Sequence, residues 1–199
     1  MEIKNYVSGP FMTNTYLIIN ENKGILVDPT IGIDKYKKEF DEYQITAVLL
    51  THAHIDHIAS VGLYDVPVYI SESDYKGLFD NSVNLSETFG IPFCMPANNI
   101  ITLKDNQIFE INGLKIKTIS TPGHTIGSMC YMIENCVFTG DTLFQVGIGR
   151  TDFPTGDITM LKKSLQSLKK LPKETVIYPG HGQCSTIEFE QKYNPYLKN

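Results

Sequence analysis

The five histidines of this 199-residue chain are not scattered. Three fall in one heptapeptide, Thr51-His52-Ala53-His54-Ile55-Asp56-His57, and the other two each follow a glycine, at Gly123-His124 and Gly180-His181. Asp141 likewise follows Gly140. Imidazole and carboxylate groups without thiolate suit zinc, iron or manganese in a catalytic site. His52 and His54 lie two residues apart, so on an extended segment they point to one side and could share an ion. Asp56 and His57 are consecutive. Where the chain turns helical they diverge by roughly 100° and could serve a second ion beside the first. His124 and His181 could complete the two sites from distant parts of the chain, and Asp141 could bridge them. Two ions roughly 3.5–4 Å apart could generate a hydroxide near neutral pH and polarise a substrate carbonyl. Taken singly, each residue reads as an ordinary core, turn or capping group. Their joint placement is what points to metal.

That placement is set by strands. Ile25-Leu26-Val27 ends in Asp28, Ala47–Leu50 in Thr51–His57, Lys117–Ser120 in the His124 loop, Cys136–Phe138 in Asp141, and Val176–Tyr178 in His181. In layered α/β proteins the carboxyl rim of the strands is where ligands bind. Thr15–Ile19 and Gly24–Asp28 read as a hairpin across Asn20–Lys23, and Ile45–Leu50, apolar on both faces, reads as a buried central strand. Val66–Ile70 is a further strand. Asn112-Gly113 joins Ile108–Ile111 to Leu114–Ile119, and Glu134-Asn135 joins Ser128–Ile133 to Cys136–Thr139. Apolar spacing predicts helices over Ile33–Tyr43, Ile55–Leu63, Asp74–Phe79, Ile158–Leu171 and Glu188–Tyr193, with Asp157 capping the fourth. Residues Asp80 to Ala97 carry no period, which marks a functional loop more often than filler. Strands with helices before, between and after them fit a layered α/β domain spanning residues 1–199.

The bulk properties exclude several classes. A chain this long buries roughly 70% of its extended surface. A net charge of −5 and the lack of a basic stripe give no reason to expect nucleic acid as a partner. The lysines at 35–38 and 162–170 read as outer faces of amphipathic helices. No apolar run approaches ~18 residues, so no membrane span is expected. The first 24 residues lack the order of a secretion signal, which makes the cytoplasm the expected compartment. Cys94, Cys130, Cys136 and Cys184 share no CxxC spacing and are expected as buried, reduced thiols.

The run Thr51–His57, with the later Gly-His, Gly-Asp and Gly-His pairs, resembles the metallo-β-lactamase superfamily over essentially the whole chain. The resemblance implies a four-layer αββα sandwich, two mixed sheets flanked by helices, with the site along one edge. It also implies that His52, His54 and His124 hold a first divalent ion, zinc before iron or manganese. Asp56, His57 and His181 would hold a second, with Asp141 bridging and Asp56 orienting the attacking hydroxide or accepting its proton. Asp28 reads as a supporting group.

Residues Gly140–Phe144 with Gly147-Ile148-Gly149-Arg150-Thr151-Asp152-Phe153 are most similar to the hydroxyacylglutathione hydrolases (glyoxalase II), in particular the short, single-domain members. This likeness implies a thioesterase acting on S-lactoylglutathione or a related small-molecule thioester. Longer members carry a helical domain with basic contacts to glutathione; here Arg150 is the candidate anchor for a substrate carboxylate, or else pairs with Asp152. Tyr178, Phe144 and Phe153 are candidates for the pocket wall. The alternatives are a persulfide dioxygenase, with one iron on His52, His124 and Asp141, or another hydrolase of the superfamily such as a lactonase. The run through Pro154, Gly156 and Asp157 resembles the short hydrolases more. The sequence leaves the oligomeric state open.

Overall fold

A computed structural model describes residues 1–96 and 99–198. Strands β1 (Glu2–Ser8), β2 (Thr13–Asn20), β3 (Lys23–Val27), β4 (Gln44–Leu49), β5 (Val68–Ser71) and β6 (Ile100–Leu103) lie side by side in that order. The first three are antiparallel and the last four parallel. A second sheet holds β7 (Ile108–Ile111), β8 (Leu114–Ser120), β9 (Met129–Ile133), β10 (Cys136–Gly140), β13 (Val176–Pro179) and β14 (Ser185–Thr186), in the order 14-13-10-9-8-7. It is also mixed, since β10 and β13 run parallel while their other neighbours are antiparallel. A short ribbon, β11 (Leu143–Phe144) with β12 (Gly147–Ile148), follows β10.

The layering follows from the period of two along a strand. Ile18, Ile25, Val27, Ala47 and Leu49 point from the first sheet toward Ile116, Met129, Tyr131 and Phe138 of the second, and all are buried. Their neighbours Leu17, Ile19, Leu26 and Val48 point the other way, onto Ile33, Phe40, Ile55, Ile58 and Leu78. On the far face of the second sheet, Cys130, Val137 and Ile177 meet Leu161, Leu165 and Leu168 of helix Ile158–Leu168, with Ile187 of helix Ile187–Tyr193. The result is the expected αββα sandwich. Within the described residues no helix is long and apolar enough to cross a membrane.

Several expected elements are shorter than their apolar spacing suggests. Ile33–Tyr43 forms a 3-10 turn (Ile33–Tyr36) and one α-helical turn (Lys37–Phe40). Neither has a side-chain cap, and Tyr36 leaves helical geometry. Ile33 and Phe40 nonetheless reach the core, so burial rather than helix propensity explains the pattern. Ile55–Leu63 likewise splits into helix Ile55–Ile58 and a 3-10 turn, Val61–Leu63, and Tyr75–Phe79 is 3-10 throughout. Strands β1, β6, β11, β12 and β14 carry no clear sequence signal. They are edge or two-to-four-residue segments with little alternation, β1 excepted only in length. All four cysteines are free thiols, but Cys94 and Cys184 are exposed, because each sits in an irregular segment rather than on a strand.

The last long helix is capped as expected. Asp157 accepts hydrogen bonds from the backbone of Thr159 at 2.7 Å and Met160 at 2.9 Å. Asp157→Ala should therefore lower stability by about 1 kcal/mol, read as a fall in the urea midpoint with an unchanged slope.

Candidate metal centre

All five strand ends identified in the sequence converge on one rim. His52 and His54 occupy the extended segment after β4, and helix Ile55–Ile58 then turns Asp56 and His57 to a second direction. The loop after β8 brings His124, the end of β10 brings Asp141, and the turn after β13 brings His181. Candidate ligand atoms of His52, His54 and His124 lie within 4.8 Å of one another, and so do those of Asp56, His57 and His181. Asp141 stands between the two sets. Its Oδ1 is 3.4 Å from His57 Nε2, and its Oδ2 lies 3.4 Å from His181 Nε2 and 3.6 Å from His124 Nε2. Gly180 makes this approach possible: a Cβ there would overlap Asp141 Oδ1 and crowd the His57 ring. Gly140, at φ +47, has no room for a Cβ beside the Thr51 hydroxyl.

Four of the five imidazoles are oriented from behind. His57 donates from Nδ1 to Asp28 at 2.9 Å, His124 to the Arg150 carbonyl at 2.7 Å, and His181 to the Phe11 carbonyl at 3.1 Å. His52 Nδ1 meets the Thr51 hydroxyl at 3.1 Å, and that hydroxyl donates to Asp28 at 2.6 Å. Asp28 also accepts from the Thr51 backbone at 2.8 Å. These contacts leave the Nε2 atoms of His52, His57, His124 and His181 directed inward. His54 turns Nδ1 to within 2.9 Å of His124 Nε2. The Nε2 atoms of His52, His54 and His57 and Oδ1 of Asp141 are buried without a hydrogen-bond partner. Several such orphans in one place, each costing roughly 1–3 kcal/mol, fit a cluster completed by divalent cations.

The two halves differ electrically. Burial holds His52 well below the ordinary histidine value and lowers His54 to about 3, helped by the neighbouring imidazoles. Burial also opposes a charge on His57 and His181, but the carboxylates of Asp56 and Asp141 beside His57 raise it, and Asp141 lifts His181 to about 9. The reciprocal effect overcomes burial at the two aspartates, holding Asp56 well below the usual range and Asp141 at about 2.

Two supporting groups had no signal in the motif. Buried Asp74 accepts from the Ala53 backbone, the Thr125 hydroxyl and the Gly127 backbone at 3.0, 2.8 and 2.8 Å. It thereby ties the His52–His54 segment to the His124 loop. Thr13 donates to Asp56 at 2.9 Å. Both act through folding contacts 43 or more residues away, or across different loops, which spacing does not reveal. Asp28 is the supporting group expected of it, held at φ +52 just past β3.

Above the centre opens a cavity of about 440 Å³, lined by Phe11, Leu85, Phe89, Phe144, Ile148, Arg150 and Phe153 besides the ligand candidates. Phe144 and Phe153 are where the sequence placed them. Tyr178 is not: its ring stacks on Phe138 at 5.1 Å and meets Tyr16 edge-on at 5.3 Å, inside the sandwich. The alternation of β13 turns it to the inter-sheet face. Arg150 reaches the cavity rim, but its guanidinium is paired with Asp152 at 2.7 and 2.6 Å and lies 3.9 Å over the Phe153 ring. Leu85 and Phe89 come from the unpatterned stretch after Asp80; its Ala97 lies outside the described residues.

Two outcomes follow. Asp28→Ala should weaken zinc binding by about 10- to 100-fold, measured by competition with a chromophoric chelator. Metal-free protein should lose stability as pH falls below about 6.5. There the unfolded chain protonates His52 and His54 while the folded one does not, until His54 titrates at about 3. His57 and His181, raised in the folded chain, oppose this above about pH 6.5 and are protonated in both states well below it. The urea midpoint should therefore fall from pH 6 to pH 5, and saturating zinc, which keeps ligating imidazoles unprotonated, should raise the midpoints and steepen the fall.

A family model for the metallo-beta-lactamase superfamily matches residues 8–181. The chain is 36% identical over 200 residues to the probable metallo-hydrolase YqgX of Bacillus subtilis (strain 168), covering 95% of this chain and 94% of that one. Its fold matches the crystal structure of BLEG-1 B3 metallo-beta-lactamase with a TM-score of 0.91 and 32% identity over the whole of both chains. It also matches TTHA1623 in a di-iron-bound form with a TM-score of 0.86 and 30% identity, over 98% of this chain and 100% of that one. With its histidines and aspartates drawn from five strand ends to one rim, this chain belongs to the metallo-beta-lactamase superfamily.

Proposed function

We propose that the protein is a metal-dependent hydrolase that cleaves thioesters, of the glyoxalase II type. The observation that supports this most is the position of Asp141, whose two oxygens face ligand candidates of both sets. A centre of that form suits two divalent ions, zinc first and iron or manganese as alternatives. A probable metallo-hydrolase at 36% identity and a di-iron-bound structure at 30% support the same reading.

Bound ions of this kind supply a water-derived nucleophile at neutral pH and polarise a carbonyl. The chain's own residues arrange the rest. Water adds to the thioester carbonyl carbon, the C–S bond breaks, and a carboxylate and a thiol result. Asp56 borders the cavity and is held by Thr13, so its free oxygen can orient the water and take its proton. The leaving thiolate is a weak base, with a parent pKa of about 8.5, so no strong acid is required behind it. Arg150, at the rim, can anchor an anionic substrate only by exchanging its exposed partner Asp152, a pair worth little in water.

A second reading, a persulfide dioxygenase with one iron on His52, His124 and Asp141, leaves Asp56, His57 and His181 without a task. Their convergence within 4.8 Å favours the dinuclear hydrolase. Elemental analysis should find two metal ions per chain, and S-lactoylglutathione or another thioester should release free thiol. Asp141→Ala should lower kcat/KM by at least about 10²-fold, the scale of losing one electrostatic stabiliser. One iron per chain, with oxygen consumed on glutathione persulfide, would overturn the proposal.

A further inference from the structure

Apart from the centre itself, the cavity is walled almost entirely by carbon. Its rings form an arc from one half of the centre to the other. Phe11 meets Phe89 with ring centroids 4.8 Å apart, Phe89 meets Phe153 at 6.2 Å, and Phe153 meets His54 at 5.7 Å. Phe144 stands edge-on to His181 at 5.9 Å. Leu85 and Ile148 complete the apolar lining.

Phe89 is the accessible member of the arc. It ends the short helix Ser86–Phe89 and remains 40% exposed, although it sits against two other rings. The fold holds it there at a local cost. Leu85, which begins that turn, is buried yet adopts φ +69, in the left-handed region that a leucine rarely enters. The preceding residue is fastened to the ligand segment, since Asn84 accepts from the Ile55 backbone at 2.8 Å. Such strain is retained where the surrounding structure over-determines it, commonly at ligand sites. An exposed aromatic face held over a reactive centre is suited to an apolar group.

Polar recognition on the same wall is scant. The charged side chain lining the cavity outside the centre is Arg150, already neutralised by Asp152 and stacked on Phe153. A hydroxyl on the acyl group would meet ring edges and aliphatic carbon there, and would lose its hydrogen bonds to water.

We infer that the acyl group taken by this cavity is apolar and of aromatic size, an arylalkyl or branched-chain acyl thioester in preference to a hydroxyacyl one, and that Phe89 sets the preference. The thioester part rests on the preceding proposal; the apolar contact does not. Calorimetry on the zinc-loaded protein with phenylacetate, acetate and lactate tests the contact alone. In parallel, kcat/KM is measured on the phenylacetyl, acetyl and lactoyl thioesters of N-acetylcysteamine. Phenylacetate should bind about tenfold more tightly than acetate or lactate, and the phenylacetyl thioester should lead in kcat/KM by a similar factor, as expected for filling an apolar pocket. In Phe89→Ala the phenylacetyl-to-acetyl ratio should fall about tenfold with zinc content unchanged, and Phe89→Leu should restore most of it. Equal binding of the three carboxylates, or a loss in Phe89→Ala that is the same for all three thioesters, would overturn the inference. Should no thioester be turned over while phenylacetate still binds through Phe89, the thioesterase proposal fails and the apolar site stands.

Discussion

An imidazole can hold a cation only through the nitrogen that carries no proton, so a cluster of buried histidines works only if something behind it dictates where the protons sit. In this chain that task falls first on Asp28. Its carboxylate accepts hydrogen bonds from His57 Nδ1 and from the Thr51 hydroxyl, leaving the Thr51 oxygen to accept from His52. One residue thus sets a ligand candidate in each half of the centre. Backbone carbonyls fix two more tautomers, of Arg150 for His124 and of Phe11 for His181. The same two segments supply cavity wall, so the orientation of the centre and the shape of the space above it are held by common contacts.

The two halves of the centre also differ in what they need. His52 and His54 sit in low dielectric among other imidazoles, which favours their neutral, ligating form. His57 and His181 face Asp56 and Asp141, so that without a metal the favoured state there is a proton on the imidazole. A divalent ion replaces those protons and satisfies the same carboxylates. The aspartates therefore serve both as candidate ligands and as the charges that keep the site from repelling its own neighbours when it is empty of cations.

Around this polar nucleus the fold places carbon. The sandwich delivers ligand candidates from strand ends, which are rigid, whereas Phe11, Leu85 and Phe153 arrive on irregular segments and Phe89 on a single helical turn. Rigid placement suits coordination, which tolerates little displacement. Connecting segments can vary without disturbing it, which is how one scaffold comes to accept different substrates.

The sequence by itself determined the ligand candidates and the strands that carry them. His52, His54, Asp56, His57, His124, Asp141 and His181 were legible because a strand's apolar run is local and its end is marked by glycine or a change of polarity. The long helix from Ile158 and its Asp157 cap were legible for the same reason. Tertiary structure decided what depends on contacts between segments distant in the chain. Asp74 bridges two loops, Thr13 reaches Asp56, and Leu85 with Phe89 becomes pocket wall, none of which leaves a local period. Tyr178 was misplaced because one residue of register along β13 decides whether a ring faces a cavity or the inter-sheet core. The short turns at Ile33–Phe40 and Ile55–Leu63 imitated longer helices because burial on a sheet can recur at helical spacing without a continuous helix.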